Sequence, residues 1–299
     1  MSREILDFLK MNDVEYKEEL SLAEISPIRI GGKVKIIAYP NSEIKLVKLS
    51  AFLQENKIKH KILGRMSNVL PPDEGYNGII IRTDRLNDIC VNGDHAIVGS
   101  GIAMPRLARE LCKCGLSGFE GLSGIPGSIG GAIVGNAGAF GREISDLIRT
   151  VRVFDPNLCE MVSMSPKECG FHYRDSYFKR TGLIILSTEM KMIISDSYTV
   201  GKEMKRISDL RRKTQPIDKP SLGSSFKRPS PGVSAARLID ECGLKGYSIG
   251  GATVSEKHAG FIINSGTATA KDYIDLSELI KKCVFEKYRI NLEREIEIL

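Results

Sequence analysis

The sequence predicts an α+β protein of two or three domains. Three observations lead there. The chain has 299 residues, and domains run to roughly 100–200 residues each. It is 42% hydrophobic and 27% charged, which excludes a disordered chain and allows a sizeable core. Short apolar runs of strand character and helical periodicities both occur along the chain.

Taken in order, the first ten residues carry acids and lack a continuous apolar stretch. They are expected to form an N-terminal helix rather than a signal peptide, and the protein is expected in the cytoplasm. A strand is expected at 34–38, followed by a helix at 42–56. Ser42 caps that helix, and Ile44, Leu46, Val47, Leu49, Phe52 and Leu53 recur at helical spacing. A second strand at 61–63 runs into Gly64-Arg65-Met66-Ser67-Asn68. That turn is not G-x-G-x-x-G, so a Rossmann dinucleotide site is not indicated. Residues 78–101 read as a hairpin in which Ile79-Ile80-Ile81 and Ala96-Ile97-Val98 flank Asn92-Gly93. A helix with Pro105 in its first turn follows and stops at Gly115.

Strands are expected at 148–154 and 183–192, and a basic helix at 199–213. Gln215-Pro216 and Lys219-Pro220 then mark a loop that reads as a domain boundary. Helices follow at 234–242 and 271–288, with a strand at 260–264 between them. The chain closes in an alternating strand, with Ile290, Leu292, Ile296 and Ile298 on one face.

Several function classes are not supported. No apolar run approaches the ~18 residues of a membrane helix. The seven cysteines are scattered and read as small buried hydrophobes. The four histidines have no metal-ligand spacing, so no metal is expected. The formal net charge of +6 comes from 43 basic and 37 acidic residues. That mild excess has no aromatic ladder and suits a small polyanion as well as a nucleic acid.

Residues 121–141 differ in kind: eight of the 29 glycines fall there. They alternate with Ile125, Ile129, Ile133, Val134 and Phe140, unlike a flexible linker. Glycine lets main-chain N–H groups approach a ligand closely. A glycine-rich core corner with no ligand is the plainer alternative. Three further constellations carry chemistry. Arg174 presents a fixed fork of donors for a carboxylate, or forms an ion pair with Asp175. Ser224 is a proton donor beside Lys227 and Arg228, or a turn cap. Glu293, Glu295 and Glu297 line one face of the last strand; a buried member would be a candidate acid, and spacing does not choose among them.

The chain resembles the UDP-N-acetylenolpyruvoylglucosamine reductase family. The resemblance rests on the glycine-rich run Ser123–Gly131 with Gly135–Ala139, and on Arg29-Ile30-Gly31-Gly32 and Gly64–Leu70. It extends through Tyr173–Lys179, Gly223–Pro229, Gly243–Gly246, Val254–Phe261 and Leu292–Ile296. These motifs stand in the family's order. The resemblance implies a two-lobed FAD-binding domain of the vanillyl-alcohol-oxidase (PCMH) type followed by a smaller α/β substrate-binding domain. The lobes would be residues 1–85 and 86–198, and the substrate domain 199–299.

It further implies non-covalent FAD, NADPH as hydride donor and a UDP-sugar enolpyruvyl ether as substrate, in peptidoglycan precursor synthesis. A monomer with no nucleic-acid partner and no membrane insertion is expected. On the family's pattern Arg174, Ser224 and Glu295 are catalytic. Arg29, Gly64, Arg65, Met66, Ser67, Asn68, Val69, Gly124, Ile125, Pro126, Gly127, Ser128, Gly130, Gly131, Asn136, Ala137 and Gly138 would hold the flavin. Tyr173, Lys227, Arg228 and His258 would bind substrate. The sequence departs from the pattern at Met66, where glycine is usual, at Gly135 and at Ser26-Pro27-Ile28. No substrate-capping segment is found between Gly182 and Gln215, as in the family's shorter branch. The rival readings are another flavin oxidoreductase on this fold, such as an oxidase of small alcohols, and a nucleotide-sugar or RNA-binding protein that uses helix 199–213.

Overall fold

The computed structural model describes residues 2–299. They divide into two compact units. The first comprises the chain up to Glu18, Ile36–Arg65 and Gly78–Asp209; the second comprises Glu19–Lys35, Met66–Asn77 and Leu210–Leu299.

The first unit is built on two sheets. One has four strands in the order Glu15–Ser21, Lys33–Tyr39, Tyr76–Arg82, His60–Leu63, of which residues 19–21, 33–35 and 76–77 are counted with the second unit. The helix Glu43–Glu55 begins where the Ser42 side chain accepts the Lys45 N–H, and it buries Leu46, Leu49 and Leu53. With Ile5, Leu9, Ile36, Ile79 and Ile81 these form one apolar cluster. The second sheet is antiparallel, in the order Glu160–Met164, Ile148–Asp155, Ile184–Lys191, His95–Gly99, Ile89–Asn92. Its central strand is buried on both faces. Ile184 and Leu186 join the first cluster, while Ile185 joins a second one around Val98, Leu107, Ile129 and Val151. This two-sided burial explains the unbroken apolar run at 183–186, since successive strand residues face opposite ways.

The expected hairpin forms, but with a different first strand. Ile89–Asn92 pairs with His95–Gly99, and Asn92 stands opposite His95. Gly93 takes φ +59 in the turn between them. Tyr76–Arg82 instead pairs in parallel with His60–Leu63. Ile79, Ile80 and Ile81 are all buried, as suits a parallel strand covered on both faces. The true hairpin strand alternates partly buried and exposed residues.

The second unit has a four-stranded antiparallel sheet in the order Ser221–Ser224, Phe261–Asn264, Ala252–Val254, Ser248–Ile249. The helices Ala235–Glu241 and Ala270–Tyr288 complete a core that includes Leu238, Ile239, Val254, Ile262, Tyr273, Leu276, Ile280 and Val284. The long helix has a reciprocal cap between Thr269 and Asp272. Asp73 adds to it by accepting the Ala270 and Lys271 N–H groups at 2.7 and 3.1 Å.

The alternating strand expected at the end of the chain is not continuous. Phe226 bridges to Arg294, and Glu297–Ile298 pairs in parallel with Val69–Leu70. Leu292 and Ile296 are buried, but Ile298 is 49% exposed. The segment changes partner between these two pairings, so one alternation does not run through it. Among the described residues no helix is long and apolar enough to cross a membrane.

Candidate functional site

In the first unit the glycine-rich run is stitched to the segment after His95–Gly99. The Met104 N–H donates to the Gly127 carbonyl at 3.0 Å, Ile129 N–H to the Ile102 carbonyl at 3.0 Å, and Gly130 N–H to the Ser100 carbonyl at 2.7 Å. A Cβ on Gly130 would stand 3.0 Å from the Ser100 Cβ, and one on Gly64 would stand 2.1 Å from the Ser128 Oγ. A side chain at either position would need Ser128 or Ser100 to give way. Ser128 caps the short helix Ile129–Val134 by accepting the Gly131 N–H. Beside Gly130, the Ser100 Oγ is buried with no hydrogen-bond partner in the protein. Gly124, Pro126 and Gly131 are exposed, and Ile125 is half-buried against the second cluster. The Ala137 N–H is taken by the Ala132 carbonyl at 2.8 Å.

Arg174 sits in the turn of a small bridge between His172 and Asp175. Its backbone is left-handed, at φ +53. The guanidinium Nη2 donates to the Gly138 carbonyl at 2.8 Å. A Cβ on Gly138 would stand 3.2 Å from Arg174 Nη1 and 2.8 Å from the Arg142 carbonyl oxygen. Glycine at 138 thus makes room for the arginine head. Asn136 ties this region together. Its amide nitrogen donates to Glu143 Oε2 at 2.8 Å and to the His172 carbonyl at 2.9 Å. Its amide oxygen accepts the Ser145 N–H at 3.3 Å. Ser176, fully buried, donates to the Val134 carbonyl at 2.7 Å. Tyr173 is 42% exposed, and the Arg174 guanidinium lies 5.1 Å from its ring centre.

In the second unit Ser224 ends the strand Ser221–Ser224 opposite Phe261, and its side chain is exposed. Gly223 before it takes φ +79, a left-handed turn suited to glycine. The next residues pair with the end of the chain. The Glu295 N–H donates to the Ser225 carbonyl at 2.9 Å, and the Lys227 N–H donates to the Glu293 carbonyl at 2.9 Å. Ser224 and Glu295 are thereby brought onto two short paired segments. Of the three terminal acids, Glu295 is half-buried while Glu293 and Glu297 are exposed. Asn68 adds to the frame: its amide donates to the Glu295 carbonyl at 2.9 Å, and its own carbonyl accepts the Glu297 N–H at 2.9 Å.

The Lys227 ammonium pairs with the Glu293 carboxylate, and Arg228 is exposed. His258 lies edge-on to Phe261, with ring centres 4.9 Å apart. The Gly260 N–H donates to its Nδ1 at 3.1 Å. Burial, and more weakly the charge of Lys245, push the His258 pKa down. The ring is thus neutral near pH 7, with its proton on Nε2. Arg29, Met66, Ser67, Asn68 and Val69 also belong to this unit. Arg29 and Met66 hold φ of +57 and +56. Behind Arg29, a Cβ on Gly31 would stand 2.6 Å from the Pro71 Cβ, and one on Gly32 would stand 2.3 Å from the Asp73 carbonyl oxygen.

Sequence reasoning missed Ser100, Ser225 and Tyr273. Tyr273 carries a signal that could have found it: it stands three residues before Leu276 on the buried face of the helix 271–288.

Residues 34–158 match the FAD binding domain family, and residues 215–299 match the UDP-N-acetylenolpyruvoylglucosamine reductase C-terminal domain. The unsatisfied Ser100 hydroxyl and the exposed backbone at Gly124 and Gly131 fit a flavin dinucleotide, which would supply hydrogen-bonding groups there. The class is therefore an FAD-dependent oxidoreductase.

A UDP-N-acetylenolpyruvoylglucosamine reductase from Caldanaerobacter subterraneus subsp. tengcongensis is 41% identical over 91% of this chain and 89% of its own length. One from Fervidobacterium nodosum is 39% identical over 100% of this chain and 96% of its own. The crystal structure of UDP-N-acetylenolpyruvylglucosamine reductase from Thermus caldophilus superposes with a TM-score of 0.80 at 33% identity, covering 95% of this chain and 98% of that one. The chain belongs to the UDP-N-acetylenolpyruvoylglucosamine reductase family.

Proposed function

We propose that the chain reduces the enolpyruvyl ether of UDP-N-acetylglucosamine to UDP-N-acetylmuramate, with NADPH as hydride donor, as a step in making peptidoglycan precursors. The relatives' names support the substrate. The pairing of Ser225–Lys227 with Glu293–Glu295 supports it most, because it joins the segment that follows Ser224 to the segment that carries Glu295. On this reading residues 1–85 and 86–198 hold the flavin, and 199–299 the substrate.

FAD, when bound, would supply the chemistry of hydride transfer between NADPH and the vinyl carbon. The protein's residues do the rest. Arg174 grips the substrate carboxylate with its planar fork and stabilises the charge that develops on it. The bond to the Gly138 carbonyl aims that fork. Ser224 delivers a proton to the neighbouring carbon; such help is worth about 10²–10⁴ in rate. Glu295 acts on the same carboxylate and keeps the local charge in balance. Tyr173, Lys227, Arg228 and the Nε2–H of neutral His258 bind the nucleotide sugar. Arg29, Gly64–Val69, Gly124–Ser128, Gly130, Gly131 and Asn136–Gly138 hold the cofactor.

The test is a two-stage anaerobic experiment. The purified protein is expected to be yellow, to bleach with NADPH, and to regain colour when the enolpyruvyl nucleotide is added. Ser224→Ala is expected to bleach normally and fail to regain colour. A colourless protein that binds RNA with strong salt dependence would overturn the reading, as would recovery of colour only with oxygen.

A further inference from the structure

Ser225 follows Ser224 in the chain but is buried, at 1% exposure. Four hydrogen bonds hold it. Its N–H donates to the Gly260 carbonyl at 2.8 Å, and its carbonyl accepts the Glu295 N–H at 2.9 Å. Its Oγ accepts the Ile262 N–H at 3.2 Å and the Tyr273 hydroxyl at 2.9 Å. Tyr273 is 0% exposed in the middle of the second unit's core. A phenylalanine would fill that space without needing a partner for a hydroxyl. The phenol instead donates to the one side chain between the candidate acid and the backbone that carries Glu295.

We propose that Tyr273 is a positioning residue, fixing Ser224 and Glu295 through Ser225. With its Oγ bonded from two directions, Ser225 has one rotamer, and its peptide groups are held between Gly260 and Glu295. The exposed Ser224 hydroxyl then projects from a fixed backbone rather than a mobile loop. This rests on Ser224 being the proton donor.

The test measures both half-reactions of the holoenzyme by stopped flow, in H2O and in D2O. Tyr273→Phe is expected to keep its flavin and its rate of reduction by NADPH. Reoxidation by the enolpyruvyl nucleotide should slow about 10-fold, short of the 10²–10⁴ lost with the acid itself. Its solvent isotope effect should rise as proton delivery becomes limiting. Ser225→Ala should behave alike, and the double variant should be no worse than either single one. A flavin-loaded Tyr273→Phe with wild-type reoxidation and isotope effect overturns the proposal. Equal slowing of both half-reactions also overturns it, as does loss of flavin in both single variants, since either marks a purely structural contact. Failure of the underlying reading looks different: the reduced wild type would not be reoxidised by the nucleotide, or Ser224→Ala would be reoxidised normally.

Discussion

Met66 holds a left-handed backbone, φ +56, at the position where the family resemblance leads one to expect glycine. A side chain there costs about 1–2 kcal/mol. That side chain is also buried, at 3% exposure. Deleting a buried methionine costs about 2–5 kcal/mol, so burial outweighs backbone strain. Met66→Gly is expected to lower stability by about 1–3 kcal/mol, read as a lower denaturant midpoint; a higher midpoint would show that strain dominates.

His258 makes a prediction in pH. Its folded pKa lies below the ordinary 6.5 because burial disfavours the imidazolium. The unfolded chain therefore binds more protons between the two values, and stability falls as pH drops below about 6.5 toward the folded pKa. Melting temperatures of wild type and His258→Asn, measured across that window, should show a shallower acid slope in the variant.

At the scale of elements, the turn that carries Arg174 depends on Asn136. Both amide hydrogens and the amide oxygen of that side chain are engaged by protein groups, and it is 1% exposed. Asn136→Ala would leave the His172 carbonyl, the Glu143 carboxylate and the Ser145 N–H without those bonds. The cost is about 1–3 kcal/mol for a buried group left unpaired. Flavin reoxidation should suffer more than flavin reduction, because the lost tie is to the Arg174 turn. The second long helix gives a simpler case. Asp73→Ala removes an acceptor from two N–H groups at its first turn and should lower the melting midpoint, by about 1 kcal/mol of stability.

Elements with a local cause were legible in the sequence. The helix expected at 271–288 is found at Ala270–Tyr288 because its period, its Thr269 cap and its apolar face all agree. The strand Glu160–Met164 was invisible, since four of its five residues are exposed and none alternates inward. The partner of His95–Gly99 was misread because an isoleucine run suits a hairpin strand and a buried parallel strand equally well. The glycine-rich cradle announced itself by composition. The Ser225–Tyr273 bond did not: its partners are 48 residues apart, and nothing local says which of two adjacent serines faces the core.

At the scale of the whole molecule, each unit has apolar clusters of its own. The clusters around Leu46 and Val98 lie in the first unit, and the cluster around Tyr273 lies in the second. The glycine cradle at Gly64, Ser128 and Gly130 is confined to the first. A ligand stabilises the states that bind it, by about 2.7 kcal/mol at one hundred times its dissociation constant. Openings that destroy the cradle, or that displace Arg29 and Met66–Val69 in the second unit, are therefore suppressed by FAD, while local openings of the helix Ala270–Tyr288 that leave those residues in place are not. Amide exchange of holo- and apoprotein should reveal this asymmetry. Removing FAD should speed exchange most in Ile129–Val134 and in the segment joined to it at Ser100–Met104. Amides of Leu276, Ile280 and Val284, inside the helix Ala270–Tyr288, should change far less. An equal loss of protection in both places would mean that the units open as one, and the cradle would then report global rather than local stability.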